Sequence, residues 1–374
     1  MALAHGWAGA ISGFFIFLVA ITGVGLAFFG ELFEIQYGDI VKGTSGPHAD
    51  VGAIIMAAEE HGPTEFEALG VLMPDSRVKG LETSLVYGRA PDVTTDTLMF
   101  SIDPVTAEYL GSFELRKSFA HEFSEFHSTL LLGSPAKILI AILGFFLVLF
   151  AVSGIYLWWP RRGGVMRKSV NLQARGKLRV LFFNWHGLVG IWLSLFTIFF
   201  ALTGTALSKP DWFGPMLGEM DDPPEWAARF RKDCDESVSI TEASKLALEQ
   251  FPSRQISTLA IIRGEINKYV IMLKGKGDMN ARFGDAMAHV HAKCADEIWI
   301  TTLKDEPIPV KIGSQLYSLH GAHFLGIGGV FITVITGLFL CFLSGSGIYV
   351  FIKRTLPAER ARSNKNQARR LSSE

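Results

Sequence analysis

Charge is scarce in this chain. Only 19% of its 374 residues are Asp, Glu, Lys or Arg, and the formal net charge is −1. So small an imbalance supplies no global field for a nucleic-acid partner. Cysteine is scarcer still: Cys234, Cys294 and Cys341 are too few for a disulfide scaffold or a four-cysteine zinc site. Nucleophile and phosphate-cradling motifs are absent, so nothing points to acyl or phosphoryl transfer. Aromatics are plentiful, and 29 Phe with 8 Trp exclude a disordered or collagen-like chain.

Apolar residues make up 49% of the chain and gather in four runs, Gly6–Phe29, Ala136–Trp159, Phe182–Leu207 and Phe324–Ile352. Each reaches the roughly 20 residues needed to cross a hydrocarbon core about 30 Å thick. None carries Lys or Arg at mid-depth. Four transmembrane helices are therefore predicted. The first run is too long for a signal-peptide core, has no basic segment before it, and is not followed closely by a small-residue cleavage site.

The basic residues set an orientation. Arg161, Arg162, Arg167, Lys168, Arg175, Lys177 and Arg179 crowd the loop Pro160–Val180, which has no acid. Seven more follow Ile352, against Glu359 and Glu374. The positive-inside rule places this loop and both termini on the cytoplasmic side of the membrane. The long loops 31–135 and 209–323 then lie in the periplasm, the first with 17 acidic against 6 basic residues. Trp158 and Trp159, beside Arg161, read as an interfacial anchor. Cys234 and Cys294 share the second outer loop, where an oxidising compartment permits a disulfide but equally leaves two buried thiols. Cys341 reads as a small apolar packer.

The chain contains an internal repeat. A shift of 181 residues carries His5-Gly6 onto His186-Gly187, Gly9 onto Gly190, Ala20 onto Ala201 and Thr22-Gly23 onto Thr203-Gly204. A shift of 193 carries His127 onto His320, Gly144 onto Gly337, Ser153-Gly154-Ile155-Tyr156 onto Ser346-Gly347-Ile348-Tyr349, and Arg161 onto Arg354. Apolar matches are cheap in membrane helices; polar and glycine matches at fixed spacing are not. The outer loops follow the same scheme. Amphipathic helices are predicted at Asp50–His61 and Thr241–Phe251. Strands follow at Leu69–Met73, Leu81–Tyr87, Thr97–Ile102 and Glu108–Phe113 in one loop, and at Ile256–Ile262, Lys268–Leu273 and Glu297–Thr301 in the other. The fold class is thus an α-helical integral membrane protein, with four transmembrane helices from a two-fold repeat and two small α+β periplasmic domains.

Ten histidines are unevenly placed. His48, His61, His289 and His291 fall in the outer loops and read as surface residues, with His289-x-His291 a weak metal pair. His121 and His323 stand near His127 and His320 but have no repeat mates. The other four form two repeat-related pairs: His5 with His186 near the cytoplasmic ends of helices, and His127 with His320 on the outer side. A lone histidine at a membrane edge is most simply an interfacial residue. Two pairs at matched depths favour a functional role. Neutral imidazole ligates haem iron, and histidines on two helices can clamp one haem. The Ser-Gly pairs at 153–154 and 346–347 lie near the depth of His5 and His186. They give either macrocycle clearance or close helix packing. Thr22-Gly23 and Thr203-Gly204 offer the same deeper down. An unbroken helix from His127 to Gly154 would span about 40 Å, so Gly133-Ser134-Pro135 is expected to break it.

These motifs carry a resemblance. His5-Gly6-Trp7 with Thr22-Gly23, Leu130–Gly133 after His127, Ser153-Gly154 with Leu157-Trp158-Trp159-Pro160-Arg161, His186-Gly187 with Leu202-Thr203-Gly204, and Leu319-His320-Gly321 resemble the PepSY-associated transmembrane family. The resemblance covers all four helices and, more loosely, both outer domains as PepSY-like. Within the family the chain is most similar to inner-membrane ferric-siderophore reductases of the FoxB type. It departs from the family pattern in lacking basic residues between Met1 and His5. The resemblance implies two haem b groups on His5, His127, His186 and His320, and one-electron reduction of siderophore iron, for instance a hydroxamate chelate, at the periplasmic face. No catalytic acid or base is implied, and the electron donor stays open among a quinol, a flavin and a protein reductase. Two other readings stand beside it: a siderophore permease, and a PepSY-type sensor or regulatory protein without haem.

Overall fold

The computed structural model describes residues 1–74, 81–90, 93–159, 175–217, 237–264, 266–280, 282–304 and 306–371. Cys234, Arg161, Arg162, Arg167 and Lys168 lie outside the described residues. Four helices are long and apolar enough to cross a membrane: α1 (Ala2–Leu26), α5 (Lys137–Trp158, extended by one 3-10 turn from Ser134), α6 (Leu178–Ser208) and the apolar part, Ile327–Thr355, of α9 (Ile327–Leu371). This is a membrane protein. Ile11, Leu195 and Phe331 stay largely exposed, as residues facing lipid do.

The chain divides into a helical unit (Met1–Gly25, Glu125–Pro210, Phe331–Glu374) and a sheet unit (Leu26–Ser124, Asp211–Val330). Small residues set the helix contacts in the first. A Cβ on Gly144 of α5 would collide with Thr205 Oγ1 and approach the Ala201 carbonyl of α6. A Cβ on Gly337 of α9 would collide with Val24 and approach the Ala20 carbonyl of α1. The hydrophobic effect does not drive association within lipid, so close backbone approach of this kind holds helices together. Cys341 is buried in the same region, its Sγ 3.8 Å from the Phe17 carbonyl.

The expected break before α5 is present. Helix α4 (Phe119–Thr129) stops, Leu130, Leu131 and Gly133 take φ of 53°, 60° and 76°, and α5 starts afresh at Lys137. Positive φ at two leucines is costly and ends the α-helix outright.

In the sheet unit, α3 (Val51–His61) precedes β1 (Glu67–Leu72), β2 (Ser84–Ala90), β3 (Val93–Ile102) and β4 (Tyr109–Glu114). Helix α7 (Ile240–Gln250) precedes β5 (Gln255–Ile262), β6 (Lys268–Lys274), β7 (Ala286–His291) and β8 (Ile298–Thr302). The sequence suggested two separate outer domains. Instead both sets form one antiparallel sheet, ordered β4-β3-β2-β1-β5-β6-β7-β8. The seam pairs Gly70 with Ala260, Val71 with Leu259 and Leu72 with Thr258. One core serves both sets: Ile54 and Ile55 of α3, Ala243 and Ala247 of α7, and Val71, Val86, Leu259 and Ile271 of the sheet. Asp50 caps α3 by accepting from Ala53 N–H and also accepts from Thr241 Oγ1 of α7. Helix α2 (Phe29–Tyr37) covers the other face through Phe33, against Leu85, Met99 and Phe113. Helix α8 (Ile308–His320) completes the unit.

Two buried groups make this unit acid-sensitive. His289 and His291, expected at the surface, are 5% and 2% exposed, because β7 is an inner strand. Burial, then the charge of Lys268, pushes His289 down to about 4. The unfolded chain therefore takes up a proton the folded chain refuses. Stability is full above about pH 6.5 and falls by roughly 3 kcal/mol towards pH 4. Asp103 is buried, which alone would raise it, but bonds from Thr106 N–H, Thr44 N–H, Thr44 Oγ1 and Val105 N–H outweigh this and hold it at about 2. Its share, about 2 kcal/mol, is present above pH 4 and lost as pH falls through 2. Chemical denaturation of the wild type and His289→Gln at pH 7.5 and 5 checks the first effect: the variant is expected to lose less stability on acidification.

Candidate functional site

A cavity of about 620 Å³ opens among α1, α5, α6 and α9. Pockets that bury small ligands typically span about 300–1,000 Å³. His5 and His186 both line it, with Phe150, Phe183 and the glycines Gly9 and Gly190. His5 sits in the second turn of α1, its N–H bonded to the Met1 carbonyl. The two rings stand 6.4 Å apart, centroid to centroid, at 89°. A nitrogen–metal bond to imidazole is about 2 Å, and the ring centroid lies about 1 Å beyond the nitrogen, so opposed imidazoles sharing one ion stand roughly 6 Å apart. The spacing fits a metal held between Nε2 atoms.

The tautomers fit as well. Ser153 Oγ donates its proton to the Phe150 carbonyl (3.3 Å), which leaves an oxygen lone pair for His5 Nδ1 at 2.8 Å. Ser346 Oγ donates to the Leu343 carbonyl (3.3 Å) and faces His186 Nδ1 at 3.1 Å. An Nδ1–H on each ring would complete this arrangement and leave each Nε2 its lone pair. A hydrogen bond at the far nitrogen is how proteins fix a ligating imidazole. In this way α1 is tied to α5, and α6 to α9.

The adjoining glycines face the imidazoles. A Cβ on Gly154 would lie 3.7 Å from His5 Cε1, and one on Gly347 would lie 3.1 Å from His186 Cε1. Gly347 thus makes room for the His186 imidazole, whereas Gly154 is in ordinary contact with that of His5. Gly23 makes room for His127, where a Cβ would lie 2.8 Å from Cε1. His127 Nδ1 is 2.8 Å from the Val19 carbonyl. A carbonyl only accepts, so Nδ1 donates and Nε2 again keeps its lone pair.

His127 belongs to the helical unit and His320, the last residue of α8, to the sheet unit. His121 lies six residues before His127 on α4, on a different face of the helix. His323 follows Ala322, whose φ is 52°, and stacks on Tyr317 at 5.4 Å. Trp158 lines the cavity against Gly187, while Trp159 is exposed.

A second cluster, His291, Cys294 and Glu297, has its ligand atoms within 4.8 Å of one another. Its chemistry is wrong for a metal. Cys294 is disulfide-bonded, and His291 Nδ1 accepts from Lys293 N–H at 3.0 Å, which puts the ring proton on Nε2. The partnering of Cys294 accords with one of the two sequence readings.

No curated protein matches the chain. The model of the PepSY-associated TM region matches residues 2–354, which takes in all four apolar helices and both sets of strands. The chain belongs to the PepSY-associated transmembrane family.

Proposed function

We propose that this protein is a haem-dependent membrane reductase. In this reading His5 and His186 hold one b-type haem and His127 and His320 hold a second. Electrons from the cytoplasmic side reduce a ferric siderophore in the periplasm of a bacterial inner membrane and free Fe(II). The observation that carries the reading is the His5–His186 pair: two imidazoles 6.4 Å apart in one cavity, each with a serine hydroxyl at its Nδ1. For the outer pair the support is the 193-residue repeat and the tautomer of His127.

Haem, when bound, supplies a one-electron carrier of tunable potential. The chain's residues do the rest. In this reading Ser153 and Ser346 accept from Nδ1–H of His5 and His186, Gly347 leaves space for the His186 ring, and Phe150 and Phe183 keep the cavity apolar. Each ferric ion takes one electron. One hydroquinone or reduced flavin, giving up two electrons and two protons, therefore serves two chelates. The reduced ion is softer and less charged, and hard oxygen donors hold it less strongly.

A permease would place acids or broken helices at mid-membrane. The four spans contain no Asp or Glu. A haem-free sensor would leave the serine-bonded imidazoles without a purpose. The test is the absorption spectrum of the purified protein before and after dithionite. Sharp low-spin b-type bands are expected, and a colourless protein from haem-replete cells would end the reading. Ser153→Ala and Ser346→Ala are expected to weaken haem retention about 10–100-fold while leaving the fold intact, as loss of a partner behind a metal-bound imidazole does. Haem loss to apomyoglobin measures this.

A further inference from the structure

The loop between β6 and β7 is tightly held. The Asp285 carboxylate accepts from Met279 N–H (2.9 Å) and Asn280 N–H (3.0 Å), and Asn280 Oδ1 accepts from Phe283 N–H (3.1 Å). Gly284 has φ +91°, and a Cβ there would run into the Leu273 carbonyl. The loop is fastened to α8 where Gln315 Nε2 donates to Asp285 (3.2 Å) and Ser318 Oγ donates to the Met279 carbonyl (2.9 Å).

From this loop Arg282 presents its guanidinium 5.1 Å from the Phe283 ring centroid and 5.5 Å from that of Phe29. One nitrogen donates to Tyr317 Oη at 3.3 Å. No carboxylate pairs with Arg282 among the described residues. A guanidinium has five N–H donors in a planar fork, and here only one is engaged. Aromatic neighbours fix its plane and replace part of its water at little cost. Beside it, Tyr317 is 49% exposed and backed by the stacked His323 ring. A fork held without a carboxylate partner, next to an exposed phenol, suits a planar oxyanion, which guanidinium binds in bidentate fashion.

We infer that Arg282 and Tyr317, with Phe29 and Phe283, bind an anionic, carboxylate-bearing ferric chelate. This rests on the reductase reading and specifies its substrate class. Tyr317 and His320 are both on α8, three residues apart, or about 4.5 Å of helix rise. A chelate held by Tyr317 therefore docks one turn from the proposed outer ligand. The cation disfavours positively charged hydroxamate complexes.

Gallium(III) citrate tests the site, because Ga(III) keeps the geometry of Fe(III) and is not reduced. Titration calorimetry on the full-length protein in detergent should show binding. Arg282→Gln should weaken it at least about tenfold, the scale of one charge-assisted hydrogen bond. Arg282→Lys should fall between, keeping the charge but losing the fork. A cationic gallium trihydroxamate should bind the wild type at least about tenfold more weakly than the citrate complex, since like charges repel. Equal citrate binding by wild type and Arg282→Gln overturns the inference. So does equal binding of the two chelates, or a lowered melting temperature with chelate preference intact, which would mark Arg282 as a structural staple. Tyr317→Phe, which keeps the ring, supplies the same comparison if Arg282→Gln does not fold. Haem content of the same samples separates the two ideas: haem without citrate binding removes this site alone, and citrate binding without haem removes the reductase reading alone.

Discussion

His186→Ala is expected to halve the haem content, from two per chain to one. The remaining haem should keep its low-spin reduced bands, because the His127 side of the bundle is untouched. The size of the effect follows from the cavity. It offers imidazoles from His5 and His186 and is otherwise lined mostly by apolar side chains and glycines, so nothing there replaces the lost ligand. His5 alone would leave one face of the iron open, and any retained haem would shift to a high-spin spectrum. Pyridine haemochrome stoichiometry with absorption spectroscopy decides the matter. Two haems per chain with unaltered spectra would remove the central pair.

Gly23→Ala should do the reverse, losing the outer haem and keeping the inner one. The added methyl would lie 2.8 Å from His127 Cε1 and 3.2 Å from Nδ1. The ring must then move, and its 2.8 Å bond to the Val19 carbonyl goes with it. Overpacking of this kind costs about 1–3 kcal/mol. Gly9→Ala is the control, since a Cβ there meets nothing within 4 Å. Equal outer-haem content in both variants would show that His127 is not a ligand.

The spans were legible because a long apolar run has one reading in a chain of this composition. The nearness of His5 and His186 was legible because the repeat spacing sets depth along a helix. It does not set azimuth, so the sequence did not show that the Ser-Gly motifs face the imidazole of a neighbouring helix. The sheet was half legible. Seven of eight strands fall in apolar runs bounded by turn residues, whereas β7, Ala286–His291, is built from Ala, Met, His and Val and gives little β signal. That omission also sent His289 and His291 to the surface. The β1–β5 pairing has no local signature, because its partners are 190 residues apart, as Gly70 and Ala260 show. Arg282 carried no motif; only the folded loop places it between two phenylalanines.

That seam has a consequence for biogenesis. Strand β1 is translated long before β5, with two membrane spans still to be synthesised in between. Throughout that interval the first four strands carry an open edge, able to pair with any extended chain nearby. A product truncated after α5 would keep that edge permanently. Such fragments should aggregate or be degraded rather than accumulate as a stable half-molecule.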